Sequence, residues 1–529
     1  MTYASYLYFF AFVFLVYMIY LIIPVKYRWF VLLAAGYTFY IVLNGFLTAF
    51  LLVTTVSTYF CGKQIGKFQE GFNAKKKELS KEEKKQLKAV VTKNKKAMVG
   101  IAVLINLGIL VFLKYYNFFA GHMTRFWRLF GFSGGMPVLK LILPLGISYY
   151  TLQSIGYIVD VYRGKYKPEQ SIGKLALFLS FFPQMTEGPI GRYNELTPQL
   201  VEGHKYNNAD FSSGVILMLW GFFKKLVISD RASFMANSVF NDYQSYSGTV
   251  IVIAVAMYTI QLYTDFSGCI DIMSGSARIF GIKLSENFRQ PFFSKSVAEF
   301  WRRWHITLGG WFKDYVFYPV SLSSPFMKLS KTAQKRFSKF FASLIPSAAA
   351  LFVVWMGTGL WHGASNKYIA YGLYYFGLIL LGMLFEPIAV KIFNKIKLDR
   401  KGKLWSGVSI VRTIILVGIG MMMFRANYVM DFVHMFLRMF TTQNPADIFN
   451  NTVFSLGTDK HDFLVIFIGV VIMLIVAILK EKGRDVLTTA ATGRIPLKWT
   501  IMIGLILSIA VLGAYGPDYG AVDTIYAQF

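Results

Sequence analysis

Apolar runs approaching the length of a membrane crossing recur along the whole chain, and no other feature restricts its fold as strongly. A helix needs about 20 apolar residues to span the hydrocarbon core of a bilayer. Such runs lie at 5–23, 29–43, 46–61, 98–114, 138–160, 212–229, 248–264, 344–361, 366–387, 408–425, 462–479 and 499–515. Several are short for a full crossing. Short spans interrupted by Gly or Pro bend, re-enter or meet partway through the bilayer where protein buries them. Only 16% of the 529 residues are charged, against roughly 25% in soluble domains, so the composition rules out a disordered chain and argues against an ordinary soluble enzyme. The run Ala4 to Pro24 has no basic residue before it and no small-residue cleavage site after it. It reads as a first membrane helix and not as a secretory signal.

The formal net charge of +28 needs an explanation inside this apolar chain. Twelve lysines and four glutamates lie between Lys63 and Lys96, nine basic and two acidic residues between 295 and 339, and six against one between Lys391 and Lys403. Lys480, Lys482, Arg484, Arg494 and Lys498 form a fourth cluster. Under the positive-inside rule all four face the cytoplasm. Parity then puts Asn427 to Asp462 outside, together with a tail, Tyr515 to Phe529, that contains no Lys or Arg. The charge therefore describes orientation, and a nucleic-acid partner is set aside. Cys61 and Cys269 read as buried thiols, too few for a disulfide framework or a zinc site. The organisation expected is helices with a basic, helical cytoplasmic loop at 62–97 in residues 1–137, a catalytic core at 138–390, and further helices with an outer tail at 391–529.

The usual signatures of phosphate-binding, zinc-hydrolase and serine-hydrolase sites are absent. What stands out is ionisable residues in apolar surroundings. His362 ends the run Ala348 to Trp361 within Gly357-Thr-Gly-Leu-Trp-His-Gly-Ala-Ser365. An ionisable group at membrane depth is a functional candidate because burying it is costly, and a neutral imidazole accepts a proton near pH 7. Small neighbours would let other groups approach it; the competing reading is a satisfied structural histidine. His305 lies in Glu299-Phe-Trp-Arg-Arg-Trp-His-Ile-Thr307, which reads either as an interfacial aromatic belt or as a segment folded inward that presents Trp304 and His305 to a ligand. His122, His204, His434 and His461 read as solvated or interfacial.

Asp265, Ser267 and Asp271 follow an apolar run with few nearby cations. Ser267 and Asp271 share a helix face, an Asp271–Arg278 pair is expected, and a polar cluster fixing helix packing is the simplest role. Phe181 to Arg192, with two prolines and two glycines around Glu187, reads as a re-entrant turn lining a cavity.

Taken in order, Leu143-Pro-Leu-Gly-Ile-Ser148, Tyr157-Ile-Val-Asp-Val-Tyr-Arg163, Phe182-Pro-Gln184 with Gly188-Pro189, Asp265-Phe-Ser-Gly268, Glu286-Asn287-Phe288, Phe300 to His305 and Trp361-His-Gly363 resemble the membrane-bound O-acyltransferases, and within them the bacterial alginate O-acetyltransferase branch. The resemblance implies an all-α polytopic membrane protein, a ring of helices around a thin central region with re-entrant and interfacial helices. A cytoplasmic opening would admit the acyl donor and an outer funnel the acceptor. It implies His362 as the catalytic residue and His305 as the second active-site position, supported by Trp304, Trp361, Asp265, Ser267, Asn287, Gln184 and Glu187. No metal and no permanently bound cofactor are expected; acetyl-CoA or another acyl thioester would be the donor substrate. The expected setting is a bacterial plasma membrane, with membrane lipids, an extracytoplasmic polysaccharide acceptor and an extracytoplasmic hydrolase-like acetyltransferase as partners. Ile525-Tyr-Ala-Gln-Phe529 resembles an aromatic ending in this system, which makes Tyr526 a candidate acyl relay beside the reading of a plain interfacial tail. D-alanyl transfer to teichoic acid uses the same motifs and is the alternative, followed by a transporter or flippase, although the internal repeats that a transporter predicts are not seen.

Overall fold

The computed structural model describes residues 7–397 and 399–515, and among them the chain forms helix after helix, with one isolated bridge between Phe288 and Trp304 and no sheet. Nine helical stretches of the described residues are long and apolar enough to cross a membrane: Val25–Lys75, Lys81–Leu129, Asn208–Asn241, Gly248–Ile279, Lys339–His362, Asn366–Lys395, Lys403–Arg425, Lys460–Glu481 and Ile495–Leu512. Ala11–Ile22 is a shorter apolar helix. The runs expected at 29–43 and 46–61 fall on two helices of the first stretch, Arg28–Asn44 and Thr48–Lys75, which meet at a tight turn where Gly45 has φ 55°.

The basic segment 62–97 is mostly helical: helix Thr48–Lys75 runs into it and helix Lys81–Leu129 begins in it. That second helix starts at a capping box, in which the Ser80 N–H donates to Glu83 Oε2 at 2.8 Å and the Glu83 N–H to Ser80 Oγ at 3.4 Å. At 1.5 Å per residue its 49 residues extend about 70 Å, more than twice a hydrocarbon core of about 30 Å. The run at 138–160 is helical only over Ile147–Arg163, because Pro144 and Gly146 interrupt it.

The described residues form two compact units, one within 1–214 together with 276–285 and the other within 215–275 and 286–529. In the first, helix Ile147–Arg163 is buried over nearly its whole circumference, the pattern of a helix surrounded by protein. Gly146, at φ 80°, starts this helix so close to the segment 181–192 that an added Cβ would lie 2.4 Å from Met185 O. That segment has no helix and is buried. Irregular backbone is tolerated at membrane depth only in such protein-lined surroundings, which agrees with the turn expected there.

In the second unit the segment Glu299 to Tyr315 folds inward. Phe300, Trp304, His305 and Leu308 are all at most 3% exposed, so the interfacial-belt reading is set aside for these side chains. Because Gly146 meets both a left-handed φ and a backbone oxygen, Gly146→Val should abolish a stable fold. Detergent-solubilised protein should show a loss of the monodisperse peak and of the thermal transition, whereas Gly108→Ala, a helical position with open space around it, should leave both intact.

Candidate active site

His305 owes its position to a local crossing of two strands of chain. Helix Val297–Arg303 begins at Ser296, whose Oγ accepts from the Glu299 N–H at 3.1 Å. It then gives way to extended backbone that pairs with residues 287–289, through Arg289 N–H to Arg303 O at 2.9 Å and Ile306 N–H to Asn287 O at 3.0 Å. Between these bonds the backbone turns sharply at His305, φ 47° and ψ 51°. A left-handed conformation outside glycine costs about 1–3 kcal/mol and clusters at functional sites.

The imidazole is oriented by Asn287. The Thr307 backbone N–H, which can only donate, points to Asn287 Oδ1 at 3.1 Å, and the Thr307 hydroxyl donates to the same atom at 2.8 Å. The atom facing them is therefore the amide oxygen. His305 Nδ1 lies 3.2 Å from that oxygen, so Nδ1 carries the hydrogen and Nε2 the lone pair. Burial pushes this imidazole down to about 3, and it is neutral at physiological pH. Asn287 Nδ2 is buried with no hydrogen-bond partner among the described residues.

His362 arrives from a different element, as the last residue of helix Lys339–His362. Its ring is 3% exposed and is walled by Trp361 at 5.0 Å, Phe424 at 5.0 Å and Tyr371 at 5.7 Å between centroids. The flanking glycines make this possible. A Cβ on Gly359 would meet Tyr368 O at 2.2 Å, and one on Gly363 would meet the Tyr368 ring at 2.4 Å. Trp361 contacts both imidazoles, with His305 at 5.6 Å, so the two histidines, 57 residues apart in sequence, share one aromatic enclosure.

The other candidates divide. Trp304 stacks on Phe300 at 5.3 Å and meets Phe288 edge-on at 5.1 Å, forming an aromatic layer behind the loop. Asp265 and Ser267 are tied into buried charge. Lys225 Nζ lies 2.6 Å from Asp230 and 2.8 Å from Asp265, and Lys224 Nζ lies 2.6 Å from Asp271 and 2.9 Å from Ser267 Oγ. The residue between Asp265 and Ser267 reaches the site: the Phe266 ring lies edge-on to His305 at 4.8 Å. Gln184 and Glu187 belong to the first unit, in the buried segment 181–192, where Gln184 Nε2 donates to Phe178 O at 3.2 Å. Tyr526 lies outside the described residues.

The expected Asp271–Arg278 pair does not form, because Asp271 faces Lys224 and Arg278 pairs with Asp210 at 2.7 Å. Sequence reasoning also missed the cations near Asp265. Their signal was present as Lys224-Lys225 inside the apolar run 212–229, two charges that a spanning segment tolerates only when they are paired.

A profile of the membrane-bound O-acyltransferase family matches residues 169–427, which include both histidines. A probable alginate O-acetylase of Pseudomonas aeruginosa is 32% identical over 421 residues, covering 79% of this chain and 70% of the relative. The chain belongs to the membrane-bound O-acyltransferase family. Similarity extends to a peptidoglycan O-acetyltransferase of Helicobacter pylori, 32% identical over 305 residues (53% of this chain, 54% of the relative). A teichoic acid D-alanyltransferase of Bacillus subtilis is 31% identical over 256 residues (47% and 61%). The protein is accordingly a multi-pass membrane acyltransferase.

Two outcomes follow for this acyltransferase. Removing one partner of a buried ion pair costs about 3–5 kcal/mol. Lys225→Met should therefore lower the thermal midpoint of the purified protein markedly, and Lys225→Met with Asp265→Asn and Asp230→Asn should recover much of the loss. Asn287→Ala should reduce kcat on the order of 10²-fold with little change in KM, the scale on which a positioned acid–base group contributes, while leaving the thermal midpoint within a few degrees.

Proposed function

We propose that the protein moves an acetyl group from a cytoplasmic thioester, acetyl-CoA being the simplest, to an extracytoplasmic polysaccharide, with His362 as the general base. The observation that carries this reading is the pair of buried imidazoles against Trp361, one of them held as a neutral tautomer by Asn287. Acyl transfer to a sugar hydroxyl needs a base near neutral pH and donors for the developing oxyanion. The hydroxyl oxygen attacks the thioester carbonyl as its proton passes to His362. The carbon–sulfur bond then breaks and the departing thiolate takes that proton, so no other reactant is needed. His305 Nε2, which carries the lone pair, accepts from a neighbouring hydroxyl of the sugar and so positions the acceptor, and Asn287 Nδ2 is a buried donor on the residue that orients the imidazole.

The basic clusters support a cytoplasmic donor side, where they would attract the phosphates of coenzyme A, and an acceptor side that lacks them. Holding donor and acceptor on opposite sides of the site would let acyl groups cross a bacterial plasma membrane while the cofactor stays behind. An extracytoplasmic hydrolase-like partner would complete delivery to the polymer, and the tail residue Tyr526 is a candidate relay. The acetylases among the relatives favour acetyl over D-alanyl transfer, since the first of them covers 79% of this chain and the D-alanyltransferase 47%.

The test is to measure acetyl and D-alanyl esters on surface polymers of cells expressing the wild type, His362→Ala and Tyr526→Phe. Acetyl ester should vanish with His362→Ala and fall with Tyr526→Phe. Intact acetylation in His362→Ala would refute the base assignment, D-alanyl ester in place of acetyl ester would refute the substrate, and unchanged acetylation in Tyr526→Phe would remove the relay alone.

A further inference from the structure

A cavity of the second unit, about 510 Å³, lies between the spanning helices Gly248–Ile279, Lys403–Arg425 and Lys460–Glu481, the helix Val429–Thr441 and the segment 290–293. Its volume falls within the ~300–1,000 Å³ of sites that hold drug-sized molecules, and no charged side chain lines it. Thr259 and Thr264, two of its few polar groups, donate their hydroxyls to the Val255 and Ile260 carbonyls of their own helix, at 2.8 and 2.7 Å. Those hydroxyls therefore ask nothing of a ligand.

The rim shows what surrounds the opening. Ile415 is 57% exposed, Phe440 70% and Leu474 48%. The first and last belong to membrane-spanning helices, so these apolar faces look into hydrocarbon. The inner wall is the aromatic layer behind the catalytic loop, since Tyr263 and Phe292 line the cavity and meet Trp304 at 5.8 and 6.5 Å between centroids.

We propose that this cavity binds one acyl chain of a bilayer phospholipid, recognised by its hydrocarbon and not by its headgroup, and that the chain buttresses the aromatic wall behind His305. A cavity walled mainly by apolar side chains and free of charge, opening on lipid-facing surface, is filled by the medium it opens on. The occupant is a structural lipid and not the acyl donor. This assignment does not depend on which acyl group the enzyme transfers.

The experiment uses the full-length protein in nanodiscs doped with a phosphatidylcholine carrying a mid-chain diazirine, with cross-links mapped by peptide mass spectrometry. Labelling should concentrate several-fold on Val255, Thr259 and Met473 relative to Phe467 and Ile503, which are exposed but lie outside the cavity. Gly418 lines the cavity, and a Cβ there would meet nothing closer than Val255 at 3.9 Å and Thr259 at 4.0 Å, so the site accepts a filling side chain. Gly418→Phe should cut cavity labelling several-fold and leave Phe467 and Ile503 labelling unchanged. If Gly418→Phe disturbs folding, as judged by the monodisperse peak, the smaller Gly418→Leu takes its place. Uniform labelling of cavity and outer surface, or cavity labelling that survives the fill, overturns the proposal. So does displacement of the label by acetyl-CoA or polyprenyl phosphate when unlabelled phosphatidylcholine does not displace it.

Discussion

The buried charge between helices is the interaction on which the second unit depends. Lys224 and Lys225 lie in the π-helical stretch Phe223–Ser229 of the spanning helix Asn208–Asn241, and their aspartate partners Asp265 and Asp271 are carried by helix Gly248–Ile279. The two stretches approach closely because Gly221 and Gly268 face each other, so that a Cβ on Gly221 would lie 2.5 Å from Gly268 O. Isolated charges at membrane depth would cost far more than the pairs do. The geometry is therefore all or none: either the helices meet at the glycines and every charge finds a partner, or the unit does not assemble. Arg231 adds a further tie, to Asp462 and to the Leu512 carbonyl, which draws the last two spanning helices to the same place.

This tie reaches the candidate site through one side chain. Asp265 and Ser267 point to lysines, and Phe266 between them is left to pack on His305. The charge network thus sets, through Phe266, the wall against which the imidazole rests. On the other side of the enclosure, glycines 359 and 363 let Tyr368 close on His362. Rigid supports of this kind are what the proposed catalytic role of the two histidines would need, because small displacements of acid–base groups are expensive in rate.

Much of the architecture was legible before any coordinates. Apolar run lengths marked most of the spans, and His362 and His305 stood out because histidine in apolar surroundings demands an explanation. Where a run was misread, the reason is physical. The 138–160 run reads as one span by hydropathy, yet Pro144 and the left-handed Gly146 reserve its first part for a turn. The Lys63–Lys96 block reads as a charged helical segment, since lysine and glutamate are good helix formers, and Ser80 caps a new helix within it.

The sequence by itself determined the class of protein: a chain of apolar spans whose ordered motifs place two histidines in otherwise apolar segments. Spacing along a helix reports which residues share a face, and that was enough to put Ser267 and Asp271 together. It could not report that Asp271 would leave Arg278 for Lys224, 47 residues away, that Trp361 would contact both imidazoles, or that Asn287 would fix the tautomer of His305. Those pairings arise only when distant helices close on glycine contacts and the chain crosses itself at 287–306, because hydrogen bonds and ion pairs are decided by distance in space and not by separation along the chain.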